Sequence, residues 1–150
     1  MARVYLSLGS NIDRERHIRA ALDALAHSFG KLAVSPVYES EAVGFDGDHF
    51  YNLVVGVDTN LSVGELQRLI KEIEDENGRE RSGPKFSART LDIDILTYDD
   101  CVGDVDGVSL PRAEIVKNAF VLLPLVDVAG EELHPQLQVT YSQLWAEYDK

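Results

Sequence analysis

The chain has 150 residues, 45% of them hydrophobic, with no Pro- or Gly-rich stretch long enough to be a linker, so it can bury one core and is expected to form one domain over residues 1–150. A formal net charge of −12 argues against nucleic acid or anionic membranes as partners, because both reward a basic footprint. One cysteine, four histidines without metal-ligand spacing, no apolar leader and no window near the roughly 18 apolar residues of a membrane span fit a soluble chain of the reducing cytoplasm.

RVYLSLG alternates Val4, Leu6 and Leu8 with polar or small residues and predicts a half-buried strand ending at Gly9. Asp13 is placed to cap a helix whose apolar positions Ile18, Leu22, Leu25 and Phe29 recur every three or four residues, with Gly30 as its stop. KLAVSPVYES and HFYNLVVGVDT, rich in Val, Tyr and Phe, predict two strands joined by the glycine-containing loop EAVGFDGD. SVGELQRLIKEIEDENG opens with a Ser62/Glu65 capping box. It puts Val63, Leu66, Leu69, Ile70 and Ile73 on one helix face before Asn77-Gly78 ends it. With a strand over residues 91–96 the order is β-α-β-β-α-β, an α+β, ferredoxin-like arrangement with an antiparallel sheet and both helices on one face. The C-terminal additions are less regular: a short hairpin in CVGDVDGVSLP, a short helix or buried segment in NAFVLLPLVDVA, and a final helical turn or two in YSQLWAEY.

In SARTLDIDIL, a strand would point Asp92 and Asp94 to one face and Leu91, Ile93 and Ile95 to the other. Like charges side by side need a positive partner, because burial without one is costly or forces protonation. Just upstream, Arg79, Arg81, Lys85 and Arg89 form a local basic patch in an acidic chain. Two answers stay open. One is a structural ion pair with these arginines. The other is Mg²⁺, which takes oxygen ligands and shares them with substrate phosphates, while guanidinium forks bind phosphate oxygens bidentately. The second points to phosphoryl or pyrophosphoryl transfer without a Walker loop or a kinase glycine-rich signature, both of which are absent from the sequence.

Taken in order, SLGSN, SPVYES, Phe50-x-Asn52, GRERSGPKFSARTLDIDIL and AFVLLPL resemble the 6-hydroxymethyl-7,8-dihydropterin pyrophosphokinase family over about residues 3–145. The resemblance implies transfer of pyrophosphate from ATP to the pterin hydroxymethyl oxygen, releasing AMP, in folate biosynthesis. It implies two Mg²⁺ ions held by Asp92 and Asp94, with catalytic roles for these aspartates and for Arg79 and Arg89. Nucleotide contacts are expected from Arg79, Arg81, Arg89, Ile95 and Arg112. The pterin is expected between Phe50 and Phe120, its polar edge read by Asn52, with Gly9, Ser40 and Val43 completing the pocket. Partners are then small molecules, and a monomer is expected. The loops at 43–49 and 79–88, with glycine hinges, are candidate lids.

Three positions depart from the family pattern. Arg112 stands where a histidine is expected, Asn118 where an arginine is expected with Lys117 just before it, and Glu41 where an apolar residue or proline is common. They keep two other readings open: a catalytically silent pterin-binding or regulatory paralogue, and a ferredoxin-like interaction domain without a small-molecule site.

Overall fold

A computed structural model describes residues 1–40, 49–78 and 91–148. β1 (Ala2–Ser10) opens the chain. Helix α1 (Arg14–Phe29) follows, burying Ile18, Ala21 and Leu25 and ending at Gly30, whose φ of 77° lies in the left-handed region that glycine enters without a Cβ penalty. Asp13 takes the N-cap position but does not cap with its side chain. Its own backbone is left-handed, at φ 45° and ψ 46°, whereas a capping side chain reaches back from extended backbone.

The strand predicted over 31–40 is two short strands, β2 (Ala33–Val34) and β3 (Tyr38–Ser40), both paired antiparallel with β4 (Phe50–Thr59). Pro36 lies in the break, and it has no N–H to give a ladder. Ser35 bridges the gap: its N–H donates to Val54 O at 3.0 Å and its Oγ accepts from Val54 N–H at 2.9 Å.

α2 (Val63–Glu76) has the predicted capping box, with Ser62 Oγ accepting from Glu65 N–H at 3.2 Å and Glu65 Oε1 accepting from Ser62 N–H at 2.9 Å. At its far end the buried His17 meets Asn77, Nδ1 to Oδ1 at 2.8 Å, which ties the start of α1 to the end of α2. β5 (Asp92–Tyr98) pairs with β1, giving a sheet in the order β2-β4-β1-β5 with β3 beside β4. The predicted hairpin is β6 (Gly103–Val105) and β7 (Val108–Leu110). A short α3 (Glu114–Lys117) leads into α4 (Ala119–Ala129), which resolves the tract read as helix or buried segment, and α5 (Tyr141–Glu147) ends the described chain. The result is a mixed helix and antiparallel sheet fold, and no described helix is long and apolar enough to cross a membrane.

The two sheet faces differ. On one, Val4, Leu6, Leu8, Leu53, Val55, Val57, Leu91, Ile93 and Ile95 pack against α1 and α2 in the main core. On the other, a smaller core joins Tyr5, Val54 and Leu96 to Leu122 and Leu125 of α4 and Tyr141 of α5. Trp145 packs against this second core and stacks on Tyr148, 5.7 Å between ring centres, and the Tyr148 hydroxyl donates to Lys117 O at 3.1 Å. A bulge at Leu96, unpaired between the Leu6↔Ile95 and Tyr5↔Thr97 partners, shifts the phase of β5 so that Tyr98 returns to the helix side and donates to Leu61 O at 2.8 Å.

β5 is an edge strand, and its outward groups are closed by other elements. Glu74 of α2, only 5% exposed, accepts the Ile93 N–H on Oε2 at 2.8 Å, and Leu96 O accepts the Arg112 N–H at 2.9 Å. Glu74→Ala should therefore leave a buried N–H without its acceptor and cost about 1–3 kcal/mol, while Glu74→Gln, which keeps an oxygen there, should cost markedly less. Urea denaturation of the three proteins tests this. Equal stability of the alanine variant and the native chain would mean that the edge donor does not depend on Glu74.

Candidate active site

The strand registers bring three of the expected site residues, Gly9, Asn52 and Asp92, into one row. Tyr38 of β3 pairs with Asn52 of β4, Asn52 with Gly9 of β1, and Gly9 with Asp92 of β5. Directly paired residues share a face, so Asn52, Gly9 and Asp92 line up across three strands, with Asn52 and Asp92 about 10 Å apart at the usual strand spacing. The next row along carries Asp94 opposite Ser7, and Ser7 opposite Val54. Val54 belongs to the second core, whereas Asn52, Gly9, Asp92 and Asp94 stay half-buried beyond it. One half of this sheet face is thus core and the other half is polar.

Gly9 keeps the middle of the row low. A Cβ there would lie 3.7 Å from Asn52 Oδ1 and 3.8 Å from the Phe50 ring, filling the space between them. Phe50 pairs with Ser40 across β3 and β4. Asn52 Nδ2 donates to Ser40 Oγ at 2.8 Å, which fixes the amide and turns its oxygen toward Gly9. Gly9, Ser40, Phe50 and Asn52, the residues expected around the pterin, therefore do come together. Phe120, 38% exposed, sits in the first turn of α4, which packs on the same sheet face. Asn118 is the cap of that helix, its Oδ1 accepting from Phe120 N–H at 2.9 Å. The residue that departs from the family pattern thus fixes the backbone of the aromatic two positions later.

On the other side of the row, Asp92 and Asp94 point away from the helix-side core, as the alternation predicts. Burial, followed by the neighbouring Asp92 charge, pushes the Asp94 carboxyl up to about 7, while the Arg112 charge opposes the rise; a hydrogen bond with Asp92 and the charge of Glu74 add to it. Arg112 Nη2 lies 3.1 Å from Asp94 Oδ1, and its Nε lies 3.1 Å from Glu114 Oε2. Of the two answers left open for the aspartate pair, an ion pair is thus present at Asp94, formed with the downstream Arg112; the arginines of the 79–89 patch lie outside the described residues. The carboxyl is still raised in spite of it, first by burial and then by the Asp92 charge. The donor set, two carboxylates without imidazole or thiolate, fits a hard divalent cation. Among the described residues no group of three or more His, Cys, Asp or Glu forms a ready cage, so an ion here would complete its shell with water and substrate oxygens, as Mg²⁺ commonly does.

Ile95, expected at the nucleotide, is 1% exposed in the helix-side core, which leaves only its backbone for such a contact. Val43, Glu41, Arg79, Arg81, Lys85 and Arg89, with both candidate lids except for His49, lie outside the described residues. Glu74 was not foreseen. The available signal was an acid at the fourth position after Ile70, on the apolar stripe of α2, where a charge needs a reason to be buried.

The model of the 7,8-dihydro-6-hydroxymethylpterin-pyrophosphokinase family matches residues 5–130. A 2-amino-4-hydroxy-6-hydroxymethyldihydropteridine pyrophosphokinase of Aquifex aeolicus is 38% identical over 137 residues, covering 90% of this chain and 85% of its own length. The enzyme of the same name from Pseudomonas aeruginosa is 40% identical over 133 residues, covering 86% and 82%. The crystal structure of Plasmodium falciparum HPPK-DHPS matches 97% of this chain with a TM-score of 0.74 at 17% identity, a likeness of fold; this chain spans 44% of that one. On the extent of the family match and on relatives this similar over most of their length, the chain belongs to the 7,8-dihydro-6-hydroxymethylpterin-pyrophosphokinase family.

Proposed function

We propose that the row from Asp92 through Gly9 to Asn52 is the floor on which this chain carries out its family's reaction. The chain is an ATP-dependent pyrophosphokinase of folate biosynthesis, transferring pyrophosphate from ATP to 6-hydroxymethyl-7,8-dihydropterin and giving AMP and the pterin diphosphate. The observation that carries the site reading is the shared register: an amide suited to a heterocycle's polar edge and a carboxylate suited to a phosphate-bound cation share one face, separated by a glycine.

In this reading the ring of the pterin stacks on Phe50 and Phe120, and Asn52, held by Ser40, donates and accepts along its edge, with Val43 closing the pocket. Arg79, Arg81 and Arg89 grip the triphosphate, Arg112 and the Ile95 backbone add nucleotide contacts, and binding aligns the pterin hydroxyl with the β-phosphorus. The new oxygen–phosphorus bond forms as the α,β-bridging bond breaks, the electron pair of the broken bond leaves on AMP, and the proton of the pterin hydroxyl passes to solvent. Mg²⁺, expected as two ions at Asp92 and Asp94, supplies charge neutralisation on the phosphate oxygens. We also read the core as ferredoxin-like, supported by the strand order and by α1 and α2 sharing a face, in a single-domain, cytoplasmic monomer.

Asp92→Ala and Asp94→Ala should each lower turnover by roughly a thousandfold or more, since electrostatic stabilisation is the main service here. Thermal stability should be kept, because each change also relieves like-charge repulsion. AMP release assayed alongside thermal melts decides it: undiminished turnover per folded molecule would make the pair structural.

Phe50→Ala and Asn52→Ala should weaken the pterin by roughly tenfold or more while leaving ATP nearly untouched, as one removes a stacking face and the other leaves a polar edge unpaired. Calorimetry with each substrate checks this, and equal losses for both would remove Phe50 and Asn52 from the pterin pocket.

A further inference from the structure

Arg112 holds two carboxylates at once, and its two partners differ. Glu114 is 53% exposed and stands two residues away on the same segment, whereas Asp94 is 31% exposed and already crowded by Asp92. The main chain of Arg112 is pinned separately, through its N–H to Leu96 O. Its guanidinium can therefore pivot on a fixed root, leaving Asp94 while Glu114 keeps it. A cation ligated by Asp94 competes with Nη2 for the same carboxylate, and it would sit beside a like charge a few ångströms away.

We propose that Arg112 is a resident counter-ion that a divalent cation must displace from Asp94. The inference rests on the reading of Asp94 as a metal ligand. Its consequence is that in the nucleotide-free site part of the carboxylate charge is already offset, which leaves the site poor in metal. When a triphosphate arrives, it offers the guanidinium phosphate oxygens in exchange for the carboxylate, so that metal and nucleotide load together.

The test is Mn²⁺ titration of the nucleotide-free protein, read from the paramagnetic resonance signal of the free ion, with circular dichroism to check folding. Arg112→Gln should tighten Mn²⁺ binding by roughly five- to tenfold, the usual size of one such coupling. Glu114→Gln, at a half-exposed position that should not disturb folding, should act in the opposite sense by leaving the guanidinium wholly to Asp94, weakening Mn²⁺ by roughly two- to threefold. Asp94→Asn should abolish the binding. If Asp94→Asn abolishes it but neither Arg112→Gln nor Glu114→Gln changes it, the counter-ion role is overturned. If Asp94→Asn leaves Mn²⁺ binding as it was, the ligand assignment beneath the proposal is overturned instead.

Discussion

Two carboxylates, two residues apart on one face of a strand, repel each other, and the rest of the structure is what keeps them there. The opposing force is burial on the reverse side. Leu91, Ile93 and Ile95 are sealed against α1 and α2, and each such side chain contributes roughly 1.5–3 kcal/mol relative to exposure. A slip of β5 by one residue would expose all three and drive both aspartates into the core, so the register is far better determined than the repulsion is strong. Edge closure by Glu74 and by the Arg112 backbone fixes the strand from its open side, and the Arg112 side chain offsets part of the charge.

The sheet divides its labour lengthwise as well as between its faces. One face is apolar along its whole length, under two helices. The other is apolar only where α4 and α5 lie, at Tyr5, Val54 and Leu96, and polar from Gly9, Asn52 and Asp92 onward. A single strand thus serves as core wall and site wall in succession, with no loop needed between the two jobs. The side chains of the polar half are set by backbone pairing, which is stiffer than a loop and suits a reaction that depends on alignment more than on covalent help.

Much of this was legible because it obeys short-range rules. Alternation placed β1 and β5, β-rich composition placed β4, a 3.6-residue stripe and a capping box placed α2, and the outward direction of Asp92 and Asp94 followed from period two alone. What escaped depends on long-range partners. Pro36 splits a strand that reads as continuous by composition, and Asp13 fails as a side-chain cap because its own backbone turns left-handed. The pairing of Arg112 with Asp94 joins positions 18 apart, so the string of letters does not show it. Glu74 looks like one acid among many until the edge of β5 is laid beside it. The row of Tyr38, Asn52, Gly9 and Asp92 could not be read without registers, although Asp92 stands out by its chemistry and the family resemblance points to Asn52 and Gly9.

The ring stack at the end of the chain has an optical consequence. Trp145 is the chain's only tryptophan, so it alone sets the long-wavelength fluorescence of the protein. Its neighbour Tyr148 is tied by its hydroxyl to Lys117 O, immediately before the cap that fixes Phe120. The fluorophore is therefore mechanically linked to the short segment that presents an exposed phenylalanine, while lying among the side chains of the second core. A ring that settles on Phe120 and shifts residues 117–120 would change the stacking of Trp145 and with it the emission, so the C-terminal turn is a built-in optical gauge for events at the first turn of α4.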